Sequence, residues 1–172
     1  GEENKGWTYA KFLLGHERTG IAGVSRSQRA VGHLLEVAEQ ERGSDGGRLA
    51  DDAGFMSRLR GCEVQLSSLA ALEARVIAAM ASGSAPGPEA SMLKIVGTEI
   101  QQSLQLLRVE AAAYYAMPFE LEQIRGEANE PSPGPEYAVR AVSDYNFGRA
   151  ASIYGGSNEI QRNVIAKAVL GL

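Results

Sequence analysis

The chain has 172 residues, of which 44% are apolar and 22% charged, with a formal net charge of −4 and a single cysteine, Cys62. This length and composition fit one globular domain, which excludes a disordered tail or a disulfide-stapled miniprotein. The mild acidity gives no electrostatic footprint for nucleic acid, and no unbroken apolar run approaches the ~20 residues of a membrane helix. We expect a soluble protein with no nucleic-acid partner and no membrane partner.

The chain opens on Gly1-Glu2-Glu3-Asn4, without an initiator methionine or a signal-like segment. We therefore expect it to be part of a longer protein. A lone thiol and the absence of an export signal lead us to expect a cytoplasmic location.

Clusters of glycine and proline separate segments in which apolar residues recur every three or four positions, the spacing of amphipathic helices. We predict helices over Trp7 to about Glu41, about Asp51 to Ser82, about Glu89 to Ala116, Tyr137 to about Ala151 and Asn158 to Leu170. Residues 117–136 are rich in proline and cannot be helical throughout. The predicted fold class is all-α, an antiparallel up-and-down helical bundle of about four long helices plus a short C-terminal helix.

Most signatures of enzyme chemistry are missing. His16, His33 and Cys62 have no spacing that would form a zinc site, so we expect no metal. Neither common nucleotide-binding glycine loop is present. Cys62 lies among apolar helix neighbours, which favours a buried, inert thiol over a nucleophile.

The first candidate segment for chemistry runs from Leu14 to Gly23 and contains Glu17. Glu17 precedes Ile21 by four residues, so it shares a helix face with an apolar side chain. One interpretation is an exposed charge paired with a nearby arginine. The other is a carboxylate facing an apolar cavity, where desolvation would raise its pKa into the range useful for proton abstraction.

The second candidate segment runs from Ile153 to Arg162 and contains Gly155-Gly156. Paired glycines can expose backbone N–H groups, and Ser157 or Asn158 can cap the helix that follows. An ordinary glycine loop before a capped helix is the alternative interpretation.

At these two segments the sequence resembles the C-terminal helical domain of the acyl-CoA dehydrogenase family. Tyr154 to Arg162 is similar to the family signature Tyr-Glu-Gly-Thr/Ser-x-Glu/Gln-Ile-Gln-Arg near the chain end. Further segments resemble the first and third helices of that domain: Gly1 to Trp7 with Glu17-Arg18, Leu93-Lys94-Ile95 and Gly97-Thr98-Glu99. The resemblance covers essentially all of residues 1–172, as one such domain without the N-terminal helical and middle β domains.

The resemblance implies a bacterial flavoprotein oxidoreductase of fatty acid β-oxidation. Such an enzyme uses FAD to convert an acyl-CoA thioester to a trans-2-enoyl-CoA: a base removes the α-proton while the β-hydrogen leaves as hydride. Electrons then pass to an electron-transfer flavoprotein. The resemblance also implies a homo- or hetero-oligomer, a dimer or tetramer, and this chain on its own is expected to be inactive.

The position of the base departs from much of the family. The usual base is the Glu directly after the signature tyrosine, and here that position is Gly155, which has no side chain. A branch that includes isovaleryl- and long-chain-type enzymes carries its base in a Glu-Arg pair on the first helix. Glu17-Arg18 resembles that pair, so the resemblance implies that Glu17 is the base.

Other roles follow from the same resemblance. The backbone N–H of Gly155 would hydrogen-bond the thioester carbonyl, and Tyr154 would line the acyl pocket, although a packed core tyrosine is an alternative. Arg18 would support Glu17 or contact the CoA chain. Ser157 and Glu159 match positions that contact FAD.

Two family motifs that hold a neighbouring subunit's FAD are not evident: Arg-x-x-Phe-Gly near the second helix and Gln-x-x-Gly-Gly near the end of the third. This departure keeps a second hypothesis open, in which the chain belongs to a non-catalytic subunit or a helical oligomerisation module of a mixed dehydrogenase complex.

Overall fold

The computed structural model describes residues 1–43, 45–85 and 87–171, and the side chains of residues 14–19 lie outside this description. The helices are α1 Gly6–Ala22, α2 Val24–Gln40, α3 Ala53–Ala81, α4 Glu89–Ala112, α5 Leu121–Arg125, α6 Glu136–Val139, α7 Ala141–Gly148 and α8 Asn158–Leu170. Within the described ranges the chain forms no β-strand, apart from an isolated bridge between Arg42 and Arg48. The all-α prediction is confirmed.

The first predicted helix is two helices, so the prediction of one helix from Trp7 to Glu41 was wrong. Gly23 adopts a left-handed conformation, with φ 61° and ψ 33°, and ends α1. A glycine adopts this conformation without the steric cost that a Cβ would add. The apolar spacing continues across Gly23 because a change of direction does not interrupt it.

The predicted second, third and C-terminal helices are confirmed with corrected ends, whereas the prediction of one helix from Tyr137 to about Ala151 was wrong. The third predicted helix corresponds to α4, which ends at Ala112 because Ala113 has a positive φ of 47°. Residues Ala113–Ala116 form a 3₁₀ turn. The predicted helix from Tyr137 to Ala151 is divided among α6, α7 and the 3₁₀ turn Arg149–Ser152. The proline-rich excursion contains only the short α5.

Two compact units make up the chain, and the candidate site lies in the first. That unit comprises Gly1–Arg26, Val64–Ile100 and Ala150–Leu172. Its buried apolar side chains come from each of these segments: Ala22, Val24, Leu66, Leu69, Val76, Ala90, Leu93, Ile95, Ile100 and Ala151. The first unit therefore contains both candidate segments, the one around Glu17 and the one around Gly155, together with the first half of α4.

The second unit comprises Ser27–Glu63 and Gln101–Arg149. Arg108 organises it: its guanidinium donates to the backbone oxygen of Tyr137 at 2.8 and 2.6 Å and to Asp144 at 2.8 Å. The Tyr137 hydroxyl donates to the backbone oxygen of Ala111 at 3.1 Å. These bonds hold α6 and α7 against α4, and they explain why the segment after the proline-rich stretch is helical again.

By length and composition alone, the described part of the chain contains one helix that could cross a membrane, α3. Its apolar stretch is 17% buried. Core helices of soluble proteins can have the same length and composition, so this one helix is weak evidence for a membrane span.

A close approach of backbones joins α1 to α4. A Cβ added at Gly97 would lie 2.5 Å from the backbone oxygen of Ala22 and 2.6 Å from its Cα. Backbone atoms cannot move aside as a side-chain tip can, and the Cα of Ala22 is itself fully buried with its residue. Glycine at position 97 is therefore required by packing.

We predict that Gly97→Ala destabilises the chain by about 1–3 kcal/mol, because the added methyl group overpacks this contact. Gly61→Ala is the matched control: Gly61 lies within α3, and a Cβ there would meet nothing within 4 Å. The control should be more stable than the parent by up to about 1 kcal/mol, from helix propensity. Thermal and denaturant unfolding would measure both, and equal effects of the two substitutions would contradict the packing argument.

Candidate functional site

The loop between the 3₁₀ turn Arg149–Ser152 and α8 contains two consecutive left-handed residues. Gly155 has φ +67° and Gly156 has φ +89°. Residues with a Cβ seldom adopt these values, so two consecutive glycines suit the backbone of this loop. Within the described part of the chain, the backbone N–H of Gly155 has no hydrogen-bond acceptor, which leaves it available to an incoming carbonyl oxygen.

The end of α1 lies against Gly155. A Cβ added at position 155 would lie 2.5 Å from the Cδ1 atom of Ile21. Ile21 thus occupies the space that a side chain at position 155 would enter. Glu17 lies in the same helix, one turn before Ile21. The side chains of Glu17 and Arg18 themselves lie outside the described residues, so their predicted roles stay predictions.

The loop carbonyls are held from α8 by Gln161. Its Nε2 donates to the backbone oxygens of Gly155 at 3.1 Å and Gly156 at 3.3 Å. Gln161 is fully buried, and its Oε1 has no hydrogen-bond partner among the described residues. The sequence pattern did not predict a role for Gln161. The available signal was an amide three residues after Asn158, which places both side chains on one face of α8.

Of the two predicted candidates, Ser157 and Asn158, Ser157 caps α8. Its Oγ accepts a hydrogen bond from the backbone N–H of Ile160 at 3.4 Å. The structure adds a second, buried anchor at Asn158, the first residue of α8. Lys94 of α4 donates from Nζ to Asn158 Oδ1 at 2.8 Å, and Asn158 Nδ2 donates to Thr98 Oγ1 at 3.4 Å.

Lys94 is fully buried. Loss of water around the ammonium lowers the pKa of Lys94, and the carboxylate of Glu159 opposes this shift. The hydrogen bond to Asn158 partly replaces the lost hydration. The burial of this lysine was not predicted, because a charged residue on a helix is usually exposed until the packing is known.

Glu159 stands exposed in the first turn of α8. A hydrogen bond from its own backbone N–H lowers its pKa most, followed by a hydrogen bond from the Ser157 hydroxyl; the charges of Arg162 and Lys94 add smaller effects. A carboxylate at this end of a helix is favourably placed relative to the helix dipole. Its predicted contact with FAD stays a prediction.

Two further residues considered in the sequence analysis are Tyr154 and Cys62. Tyr154 is 46% exposed within this chain, so it is not packed in the core that the described residues form, and its predicted place in the acyl pocket stays a prediction. Cys62 is buried and burial raises its pKa, as expected for an inert thiol. Within the described ranges no group of His, Cys, Asp or Glu could hold a metal ion.

Residues 4–170 match the family described as "Acyl-CoA dehydrogenase, C-terminal domain". The chain belongs to the acyl-CoA dehydrogenase family. The match spans both candidate segments, and it agrees with the sequence resemblance and with the all-helical fold.

A curated relative and two solved structures are each longer than this chain. "Acyl-CoA dehydrogenase FadE26" of Mycobacterium tuberculosis is 25% identical over the whole chain, which covers 41% of that protein. Among solved structures, the "ChsE4-ChsE5 complex from Mycobacterium tuberculosis" superposes with a TM-score of 0.73 at 25% identity, over 100% of this chain and 42% of that one. The "FAD complex of PigA" superposes with a TM-score of 0.75 at 19% identity, over 100% and 40%, which shows the fold alone. The chain spans about two fifths of these relatives.

The lowered pKa of Glu159 predicts a dependence of stability on pH. A depressed pKa means that the ionised carboxylate stabilises the folded state at pH values above 4.5, its ordinary pKa, and that this contribution is lost as the pH falls through the folded value. Glu159→Gln should therefore unfold at a lower temperature than the parent near neutral pH. The difference should shrink in acid.

Thermal unfolding followed by circular dichroism at a series of pH values would measure this difference. Glu127→Gln, at an exposed position outside any helix, is the control for general effects of acid. A gap between the parent and Glu159→Gln that is as large in acid as at neutral pH would contradict the prediction.

Proposed function

We propose that this chain is the C-terminal domain of an FAD-dependent acyl-CoA dehydrogenase with Glu17 as its catalytic base. Family membership supports the class of reaction, α,β-dehydrogenation of an acyl-CoA thioester to a trans-2-enoyl-CoA. The observation that carries the choice of base is the contact between α1 and the loop. Position 155 has no side chain, its space is filled by Ile21, and Glu17 lies one turn away on the same helix.

In this proposal the two segments divide the chemistry. The carboxylate of Glu17 takes the α-proton, and the electron pair of the broken C–H bond moves into the forming α,β double bond. The N–H of Gly155 donates a hydrogen bond to the thioester carbonyl oxygen, where negative charge develops as the proton leaves. This role needs only backbone geometry, so it survives the replacement of glutamate by glycine. FAD, when bound, accepts the β-hydrogen as hydride.

The start of α8 suits one polar edge of the cofactor. The Ser157 hydroxyl and the exposed first turn of α8 offer hydrogen-bonding groups at the positive end of a helix dipole. The carboxylate of Glu159 occupies part of this edge, and its negative charge would disfavour a phosphate there, so these residues fit a polar, uncharged part of the flavin. The remaining cofactor contacts would come from other parts of the longer protein or from a neighbouring subunit.

Several partners belong to the same proposal. An electron-transfer flavoprotein would reoxidise the flavin, and the protein would work as a homo- or hetero-oligomer. A related structure is described as a complex of two chains, ChsE4 and ChsE5. Gly155, at the usual position of the base, favours a second candidate function, a non-catalytic subunit of such a mixed assembly.

We predict that Glu17→Gln in the full-length protein lowers kcat about 10²- to 10⁴-fold, the usual worth of a general base. The flavin content should be unchanged, because the substitution is nearly isosteric. Assays would use a panel of acyl-CoA thioesters and an artificial electron acceptor. Glu36→Gln, an exposed glutamate on α2, is the matched control and should retain activity.

Two outcomes would contradict parts of the proposal. Full activity in a FAD-loaded Glu17→Gln enzyme would remove Glu17 as the base. A flavin-free parent protein isolated together with a second dehydrogenase-like chain would favour the non-catalytic subunit.

A further inference from the structure

The proposed function does not explain why the charged side chain of Lys94 is buried. It is the largest fully buried side chain in the described part of the chain. Burying an ammonium group has a large free-energy cost unless hydrogen bonds and charges compensate it. Here Asn158 supplies one acceptor, and the charge of Glu159 gives partial support.

Stability of α8 does not account for this lysine. A cation close to the first turn of a helix opposes the positive end of the helix dipole, so Lys94 is unfavourably placed for helix stability. A neutral side chain of similar length would avoid both this repulsion and the loss of hydration. The hydrogen bond to Asn158 is the buried interaction of the ammonium group, and it joins Lys94 to the first residue of α8.

Asn158 is held at both ends of its amide group by α4. Lys94 donates to its Oδ1, and its Nδ2 donates to Thr98, one helical turn further along α4. Thr98 is itself oriented, because its hydroxyl donates to the backbone oxygen of Ile95 at 3.0 Å. These bonds fix the first residue of α8 in place and in rotation.

The loop preceding α8 is held a second time by Gln161, which donates to the carbonyls of Gly155 and Gly156. Asn158 and Gln161 are three residues apart and both buried. The carbonyl groups of Gly155 and Gly156 are therefore held by Gln161, and the start of α8 is held against α4 by Asn158. A shift at Asn158 would be passed to Gly155 through three residues of chain.

We propose that Lys94 is a positioning residue that sets the direction of the Gly155 N–H through Asn158. This inference rests on the proposed function, in which that N–H stabilises the charge on the thioester carbonyl. A hydrogen bond to developing charge depends strongly on direction, and displacements of about 1 Å at a reacting centre can lower rates about 100-fold. Lys94 itself contacts neither substrate nor cofactor.

The test compares Lys94→Met with Glu99→Gln in the full-length enzyme. Glu99 pairs with Arg162 at 3.1 Å and joins the same two helices, α4 and α8, at an exposed position. We expect Lys94→Met to lower kcat about 10- to 100-fold while KM changes less than about threefold, because the affected hydrogen bond strengthens in the transition state. Glu99→Gln should stay within about twofold of the parent in both constants.

Asn158→Ala completes a double-mutant cycle. If Lys94 acts through Asn158, the single and double variants should lose the same factor in kcat. Independent losses that multiply in the double variant would overturn the inference.

A variant with both partners replaced separates positioning from folding. Replacing both members of a buried polar pair by apolar residues is often nearly neutral for stability. Lys94→Met with Asn158→Leu should therefore recover the melting temperature and flavin content of the parent while kcat stays low. Recovery of kcat together with stability would show that Lys94 has only a structural role.

Different results would contradict the proposed function and the inference about Lys94. A parent enzyme with no activity on any acyl-CoA thioester would contradict the proposed function and the inference with it. An active parent in which Lys94→Met behaves like Glu99→Gln would overturn the inference alone.

Discussion

The last turn of α1 is confined by two glycines. Ala22 lies against Gly97 of α4, where a Cβ would reach its backbone at 2.5 Å, and Ile21 lies against Gly155, where a Cβ would reach its Cδ1 at 2.5 Å. Adjacent residues of one helix are thus in contact with two different segments. Neither contact tolerates a larger residue without movement, so together they set both the depth and the rotation of α1 in the first unit. The distance of Glu17 from the loop follows from this geometry, since one helical turn separates it from Ile21.

The two contacts differ in kind. At Gly97 the obstacle is backbone, which leaves no alternative arrangement. At Gly155 the obstacle is the end of a flexible side chain, which can move at modest cost, and the main constraint is the positive φ. A glutamate at position 155 would thus need a shift of the Ile21 side chain and a change in the loop backbone.

Local sequence was sufficient for some features and insufficient for others. The start of α8 and its serine cap were predictable, because capping depends on residues a few positions apart. The break at Gly23 was missed, since apolar spacing does not register a change in helix direction. Lys94 and Gln161 were missed for a different reason. Lys94 bonds to Asn158, which lies 64 residues further along the chain, so its burial depends on a distant segment. Gln161 bonds to Gly155 and Gly156 in its own segment, and its burial is seen only once that segment is folded.

The distribution of buried polar side chains connects the fold to the proposed chemistry. Within the described residues six polar or charged side chains are buried, and four of them, Lys94, Thr98, Asn158 and Gln161, surround the start of α8. A polar network in an apolar interior is less stable than well-packed hydrophobic residues unless each group is satisfied, and here Gln161 Oε1 lacks a partner among the described residues. Such departures from an optimal core are expected at functional sites, where a fixed orientation matters more than stability. An N–H that must meet a developing charge without reorganising is one such requirement, and of these four side chains Gln161 bonds directly to the backbone of Gly155.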